Sequence, residues 1–242
     1  LVVLLIGVFQ SLRHNARRAE AISMGMEAEF DAANRVDTRR WAGVMSAPLA
    51  VLAAMVELVQ SPQFQSATAV TLRSFVLGMA LAIVVGVALG VLMGRFRAAD
   101  RLLGMWVNLF VSAPLSALVP ILMILFGLGD ATIVATVFLF AVWIIALDTQ
   151  AGVKHISGSL VEMSRSFGAR QRDVYLKILL WAALPEILAG IRLGMIRGVK
   201  GVVIGQLLVS IIGYGELFEL YSRNFLMERF WALTILVFAF AI

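Results

Sequence analysis

The stretch VEMSRSFGARQRDVYLKILLWAALPEILAGIRLG, residues 161–194, decides how this chain is read. It is a charged, glycine-punctuated island leading into an apolar segment that opens at Leu184-Pro185. Glu162 stands six residues before Gly168. Residues 158–166 are predicted to form a short helix, with Ser159 near its start. Gly168 permits a turn that side chains obstruct. Residues 170–180 are predicted to form a second short helix, with Val174, Leu176, Ile178 and Leu179 on its apolar side. A helix–turn–helix of this kind projects as a compact knob. On the residues alone, a solvated loop whose basic side chains only fix topology stays open beside it.

The runs around the island identify a membrane protein. The chain has 242 residues, 61% of them hydrophobic and 14% charged, and its mean hydropathy is +0.95. Charged residues make up about a quarter of an ordinary soluble domain. Residues 74–94 and 102–129 carry no charge at all. A helix needs ~20 apolar residues to cross ~30 Å of hydrocarbon, and both runs qualify. The expected class is therefore all-α and polytopic, with about six membrane helices.

Composition also excludes. Cysteine is absent, which removes disulfides and thiolate metal sites. The two histidines, His14 and His155, are far apart, so no metal site is expected. The net charge of +5 is modest for so apolar a chain and gives no reason to expect nucleic-acid binding. Most Lys and Arg fall between spans, as orientation signals and lipid-headgroup contacts.

The chain divides into two parts, residues 1–47 and 48–242. Leu1–Phe9 is expected to be the end of a first membrane helix, and the natural chain to extend at both ends. Residues 10–47 are polar and have no assigned role. Residues 48–60 form an amphipathic helix expected at the membrane surface. Span two covers about 66–94, followed by the basic loop GRFRAADR (94–101). Span three covers about 104–127, span four about 131–149, the island 150–180, and span five about 183–212. A loop with Glu216, Glu219, Arg223, Glu228 and Arg229 precedes the start of span six.

Orientation follows from loop charge. Arg95, Arg97 and Arg101 lie on the same side as Lys154, Arg165, Arg170, Arg172 and Lys177, and that side should be cytoplasmic. The turn at Asp130 and the acidic 216–228 loop then face out. Residues 10–47 disagree, with six Arg against five acids on the outer side.

Glycines recur every four residues at Gly86, Gly90 and Gly94, and again at Gly190, Gly194 and Gly198, with Gly201 and Gly205 near that second face. Small residues let helix backbones approach where lipid gives no hydrophobic drive. Ordinary packing, a sliding surface and a dimer seam all fit. Pro114 and Pro120 break the hydrogen-bond ladder of span three, as a kink or a pathway constriction. Span five carries Arg192, Arg197 and Lys200, with Glu186 near its cytoplasmic end. A cation facing lipid at mid-span costs roughly 2.5–3.5 kcal/mol. Lys200 is therefore expected in an ion pair or, with Arg197, beside an anion-attracting pathway.

Residues 161–194 resemble the cytoplasmic "EAA" loop of permeases from binding-protein-dependent ABC importers of type I. Glu162 stands at the family's Glu, Gly168 at its Gly, Ile178 at the first hydrophobic position, and Leu184-Pro185 where the next helix begins. Met163 and Ser164 replace the two alanines, and Trp181 stands where many relatives have a proline. Residues 71–95, 119–130 and 223–226 are similar to the nitrate, sulfonate and taurine branch.

The resemblance implies a multi-pass permease of a bacterial inner membrane. It implies a partner permease forming a homodimer, two cytoplasmic ATPase subunits and a periplasmic or lipid-anchored binding protein. Coupling would fall to Glu162, Met163, Ser164, Arg165, Gly168, Ala169, Arg172, Ile178 and Pro185, and the branch leans towards small anions. The chain lacks a GxxxxGK[ST] phosphate loop. It is thus expected to hold no cofactor and to be no enzyme, with ATP and Mg bound by its partners. An ion-coupled secondary transporter would need intramembrane carboxylates, which the central spans almost lack. A permease for a neutral metabolite and a structural membrane subunit also stay open.

Overall fold

The computed structural model describes residues 48–156, 162–164, 166–170, 173–209 and 211–240. The expected end of a first membrane helix at Leu1–Phe9, the polar 10–47 region and the helix start near Ser159 lie outside the described residues. Among the described residues every regular element is helical. We number the helices α1 (Pro48–Gln60), α2 (Pro62–Arg95), α3 (Arg97–Ser112), α4 (Val119–Phe126), α5 (Asp130–His155), α6 (Leu184–Val209), α7 (Tyr214–Arg223) and α8 (Met227–Phe240). Among the described residues, α2 and α5 are each long and apolar enough to cross a membrane. Two bent pairs, α3 with α4 and α6 with α7, raise the number to four.

Helix α2 starts earlier than its charge-free core suggests. Ser61 accepts a hydrogen bond from the Phe64 amide at 3.3 Å, and Pro62 occupies the first turn, where its missing N–H costs nothing. Its 34 residues span about 51 Å, well beyond the ~30 Å hydrocarbon layer. At the other end GRFRAADR is not a loop. Phe96 alone takes an extended conformation, and α3 begins at Arg97.

Span three is broken rather than kinked. Helix α3 ends at Ser112, a 3-10 turn covers Leu115–Leu118, and α4 leaves at 99°. Pro114 stands at the break. Pro120 breaks nothing: it lies in the first turn of α4, where proline is tolerated.

Helix α5 is the axis of the subunit. It buries Ile133, Val137, Ala141, Val142 and Ile145 against α2 on one side and α6 on the other. Gly78 meets Val137, Gly86 meets Ile145, Gly90 meets Thr149 and Gly94 meets Val153, so α2 and α5 run parallel. Gly190 meets Asp148, Gly194 meets Ile145 and Gly205 meets Thr136, so α6 runs antiparallel to α5.

Helix α1 is not left to lipid alone. Its face Val51, Ala54 and Leu58 joins Leu217, Tyr221, Ala232, Leu233 and Val237 of α7 and α8 in one core, and Arg229 pairs with Glu57 at 2.7 Å. Residues 214–223 are a helix, α7, and not the loop their charges suggest. Those charges lie on one face, while Tyr214, Leu217 and Tyr221 are buried on the other.

Candidate functional site

The knob is built as a hydrogen-bonded turn on an apolar root. Glu162–Ser164 are helical. The Phe167 amide donates to the Met163 carbonyl, and the Ala169 amide donates to the Ser164 carbonyl, both at 3.1 Å. The second bond reaches back five positions and closes over Gly168, whose φ of 77° is left-handed. This is the Schellman closure of a helix end. Among the described residues an added Cβ at Gly168 meets nothing within 4 Å. The backbone angle is thus what calls for glycine here.

The knob shows an apolar tip. Phe167 is 85% exposed and Met163 54%, with Glu162 and Ser166 exposed beside them, while Ser164 is buried. Ala169 is half-buried. Arg165 and Arg172 lie outside the described residues. The second arm is less regular than the predicted helix. It is a π-helical turn over Val174–Leu179 that runs into Leu180–Ala182. Val174 and Leu179 are buried and Ile178 half-buried, whereas the side chain of Leu176 is outside the described set.

The root fixes the knob to the membrane helices. Leu179, Ala183 and Ile187 pack with Val153 of α5, and Val87, Val91 and Ile191 close the cluster. Pro185 is exposed in the first turn of α6. Gly152 lets α5 lie on Glu186, with an added Cβ only 2.6 Å from the Glu186 Cβ. The basic junction after α2 sits at the same end. Asp100 pairs with Lys154 at 2.8 Å and also accepts from Gln150. The positive loops used for orientation therefore share one end of the bundle.

The glycine stripes are occupied inside the subunit. Gly86, Gly90 and Gly94 face α5, as do Gly190, Gly194, Gly201 and Gly205. Gly198 faces Met79 and Phe75 of α2. They pack helices of one chain and are not free to form a seam with a second copy.

Arg197 and Lys200 part company. Lys200 is exposed on α6, with no ion pair among the described residues. Arg197 is partly buried and donates through Nη1 to the Val111 carbonyl at 3.5 Å, which ties it to the broken span. Pro114 and Pro120 are exposed near that break.

Sequence reasoning missed three groups. Asp148 lies well inside α5, and its Oδ2 is buried without a hydrogen-bond partner. Gln206 is 1% exposed, and its Nε2 donates to Thr71 Oγ1 at 2.9 Å while its Oε1 accepts from the Tyr214 amide at 3.2 Å. Ser74 donates to Asp130 at 3.1 Å. Partners so far apart in sequence leave no spacing signal.

Residues 82–242 match the family described as binding-protein-dependent transport system inner membrane component. The chain belongs to that family. A putative ABC transporter permease of Methanocaldococcus jannaschii is 33% identical over 127 residues, which are 52% of this chain and 48% of that relative. The chain thus spans about half the length of that relative. The taurine transport system permease of Escherichia coli is 28% identical over 173 residues, 69% of this chain and 63% of its own. The glycine betaine/proline betaine permease of the same organism is 32% identical over 149 residues, 61% of this chain and 42% of its own. The fold is that of a solved inward-facing methionine ABC transporter, with TM-score 0.57 at 23% identity over 81% of this chain and 92% of that one. This permease-family chain is a multi-pass membrane protein.

Proposed function

We propose that this chain is the membrane-spanning permease subunit of an ATP-driven, binding-protein-dependent importer in a bacterial inner membrane. The observation that carries the reading is the knob. An exposed apolar tip, Phe167 and Met163, stands on a hydrogen-bonded turn whose root is packed into α5 and α6. A tip of that kind, buried in a partner's groove, gains about 25 cal/mol per Å² of apolar surface. A push on the tip passes through Leu179, Ala183 and Ile187 to the start of α6. In this reading two cytoplasmic ATPase subunits bind ATP and Mg and grip the tip. A second permease copy completes the pathway, and a periplasmic or lipid-anchored binding protein delivers the solute. The chain itself holds no cofactor and no catalytic residue.

We infer a small solute carrying an anionic group, such as a sulfonate or carboxylate. Relatives are named for taurine, glycine betaine/proline betaine and carnitine, each of which carries such a group. Exposed Lys200 supports this choice, since a cation beside a low-dielectric path attracts anions more strongly than it does in water. The test is uptake by proteoliposomes holding the permease, its ATPase and its binding protein, with taurine, glycine betaine, nitrate and a neutral amide as probes. Lys200→Met should slow uptake of the accepted anion several-fold and leave assembly and basal ATP hydrolysis intact. Wild-type uptake by that variant, or a preference for the amide, contradicts the anion reading.

A further inference from the structure

We propose that Arg197 is a positioning residue that pins the broken span to α6, so that α4 is carried by whatever moves α6. Helix α3 stops at Ser112, and the last four carbonyls of a helix have no partner within it. Of these, the Leu109 carbonyl is reclaimed by the Ala113 amide. The Val111 carbonyl is directed to another element, and at 3.5 Å it accepts from Arg197 Nη1. At membrane depth a break of this kind persists only where protein or a water-lined cavity satisfies it, and here Arg197 supplies a protein donor. The donor also suits the site because a cation is favoured at the negative end of a helix.

Arg197 also lies on the helix whose first turns seat the knob through Ala183 and Ile187. One helix therefore joins the knob to the 99° break. The pin rests on geometry alone, while its use in gating rests on the importer reading.

Hydrogen exchange tests the pin in the purified full-length chain in lipid nanodiscs, without ATPase or solute. The amides of residues 115–119 follow the break, and those of 137–145 in α5 serve as reference. Arg197→Met fills the same space without a donor, and should speed exchange at 115–119 about tenfold with the reference unchanged. Arg197→Lys keeps a charged donor and should return most of the protection. Wild-type exchange in the Met variant overturns the pin, as does a Lys variant no better than Met. Should the Met variant fail to insert, or loosen 137–145 as well, Arg197→Gln is read in its place. It lacks the charge and the reach, so wild-type exchange in it also overturns the proposal. Because no ATPase takes part, failure here leaves the importer reading standing, and failure of that reading leaves the pin standing.

Discussion

Two turns, one ahead of α6 and one after α7, share one backbone closure and differ in the residue at its centre. In the knob, Ala169 N–H reaches the Ser164 carbonyl around Gly168, at φ 77°. After α7, Leu226 N–H reaches the Tyr221 carbonyl at 2.9 Å and Phe225 N–H reaches Ser222 at 3.3 Å, around Phe225 at φ 53°. Glycine takes the left-handed angle freely. Other L-residues lose roughly 1–2 kcal/mol there. The Phe225 ring regains little of that within the subunit, being 80% exposed. The knob thus closes without strain, whereas the far turn is closed against strain and depends on its surroundings. Those surroundings are Tyr221 in the α1–α7–α8 core and, at the start of α7, the buried Gln206 bonds.

The comparison breaks first on sidedness, an all-or-none effect. The chain has no cysteine, and Ser166 and Ser222 are both exposed. Ser166→Cys should react with an impermeant maleimide only from the cytoplasm, and Ser222→Cys only from outside. Reactivity from the same side would place both turns at one face and end the comparison.

The next effect is on stability. Gln206→Leu removes the buried bonds to the Thr71 hydroxyl and the Tyr214 amide, while Thr71 keeps its bond to the Ala67 carbonyl at 2.7 Å. The loss should cost about 1–3 kcal/mol in all, lowering the thermal midpoint of the detergent-solubilised chain. A variant as stable as the wild type would mean that water or a rearranged Tyr214 turn replaces those bonds.

The smallest effect bears on the strain at Phe225. Phe225→Gly removes roughly 1–2 kcal/mol of left-handed strain and adds roughly 0.5–1 kcal/mol of unfolded-chain entropy. The net should be a gain of roughly 0–1.5 kcal/mol, seen as a small rise in the same midpoint. A fall would show that the ring is held by contacts that outweigh the strain.

Much of the knob end of the bundle was legible in the sequence because it is local. The Glu162-to-Gly168 spacing, the turn and the start of α6 at Leu184-Pro185 all lie within one short stretch. Loop charge placed Arg95–Arg101 with the island, and the Asp100–Lys154 pair joins those two regions. The glycine period announced close packing, yet it could not say that α5 fills most of both stripes. Pro114 and Pro120 looked alike in sequence. Only the chain direction shows that one stands at a break and the other opens a helix. Residues 214–223 read as loop because charges hid the buried spacing of Tyr214, Leu217 and Tyr221. Asp148 was overlooked at the edge of an apolar run, and the Gln206 bonds join residues 135 apart.

The central claim is that the knob is where an ATPase grips this subunit, and Gly168→Val tests it most directly. Open space around that glycine means the variant clashes with nothing among the described residues and acts through the backbone angle. A β-branched residue resists that angle more than most, whereas asparagine tolerates it. The measurement is the amount of ATPase that co-purifies with the tagged permease, normalised to permease in the membrane. The account predicts an ATPase with the wild type, a loss of about tenfold or more with Gly168→Val, and most of the association kept with Gly168→Asn. A valine variant that inserts normally and holds as much ATPase as the wild type would contradict it, as would a wild type that brings none.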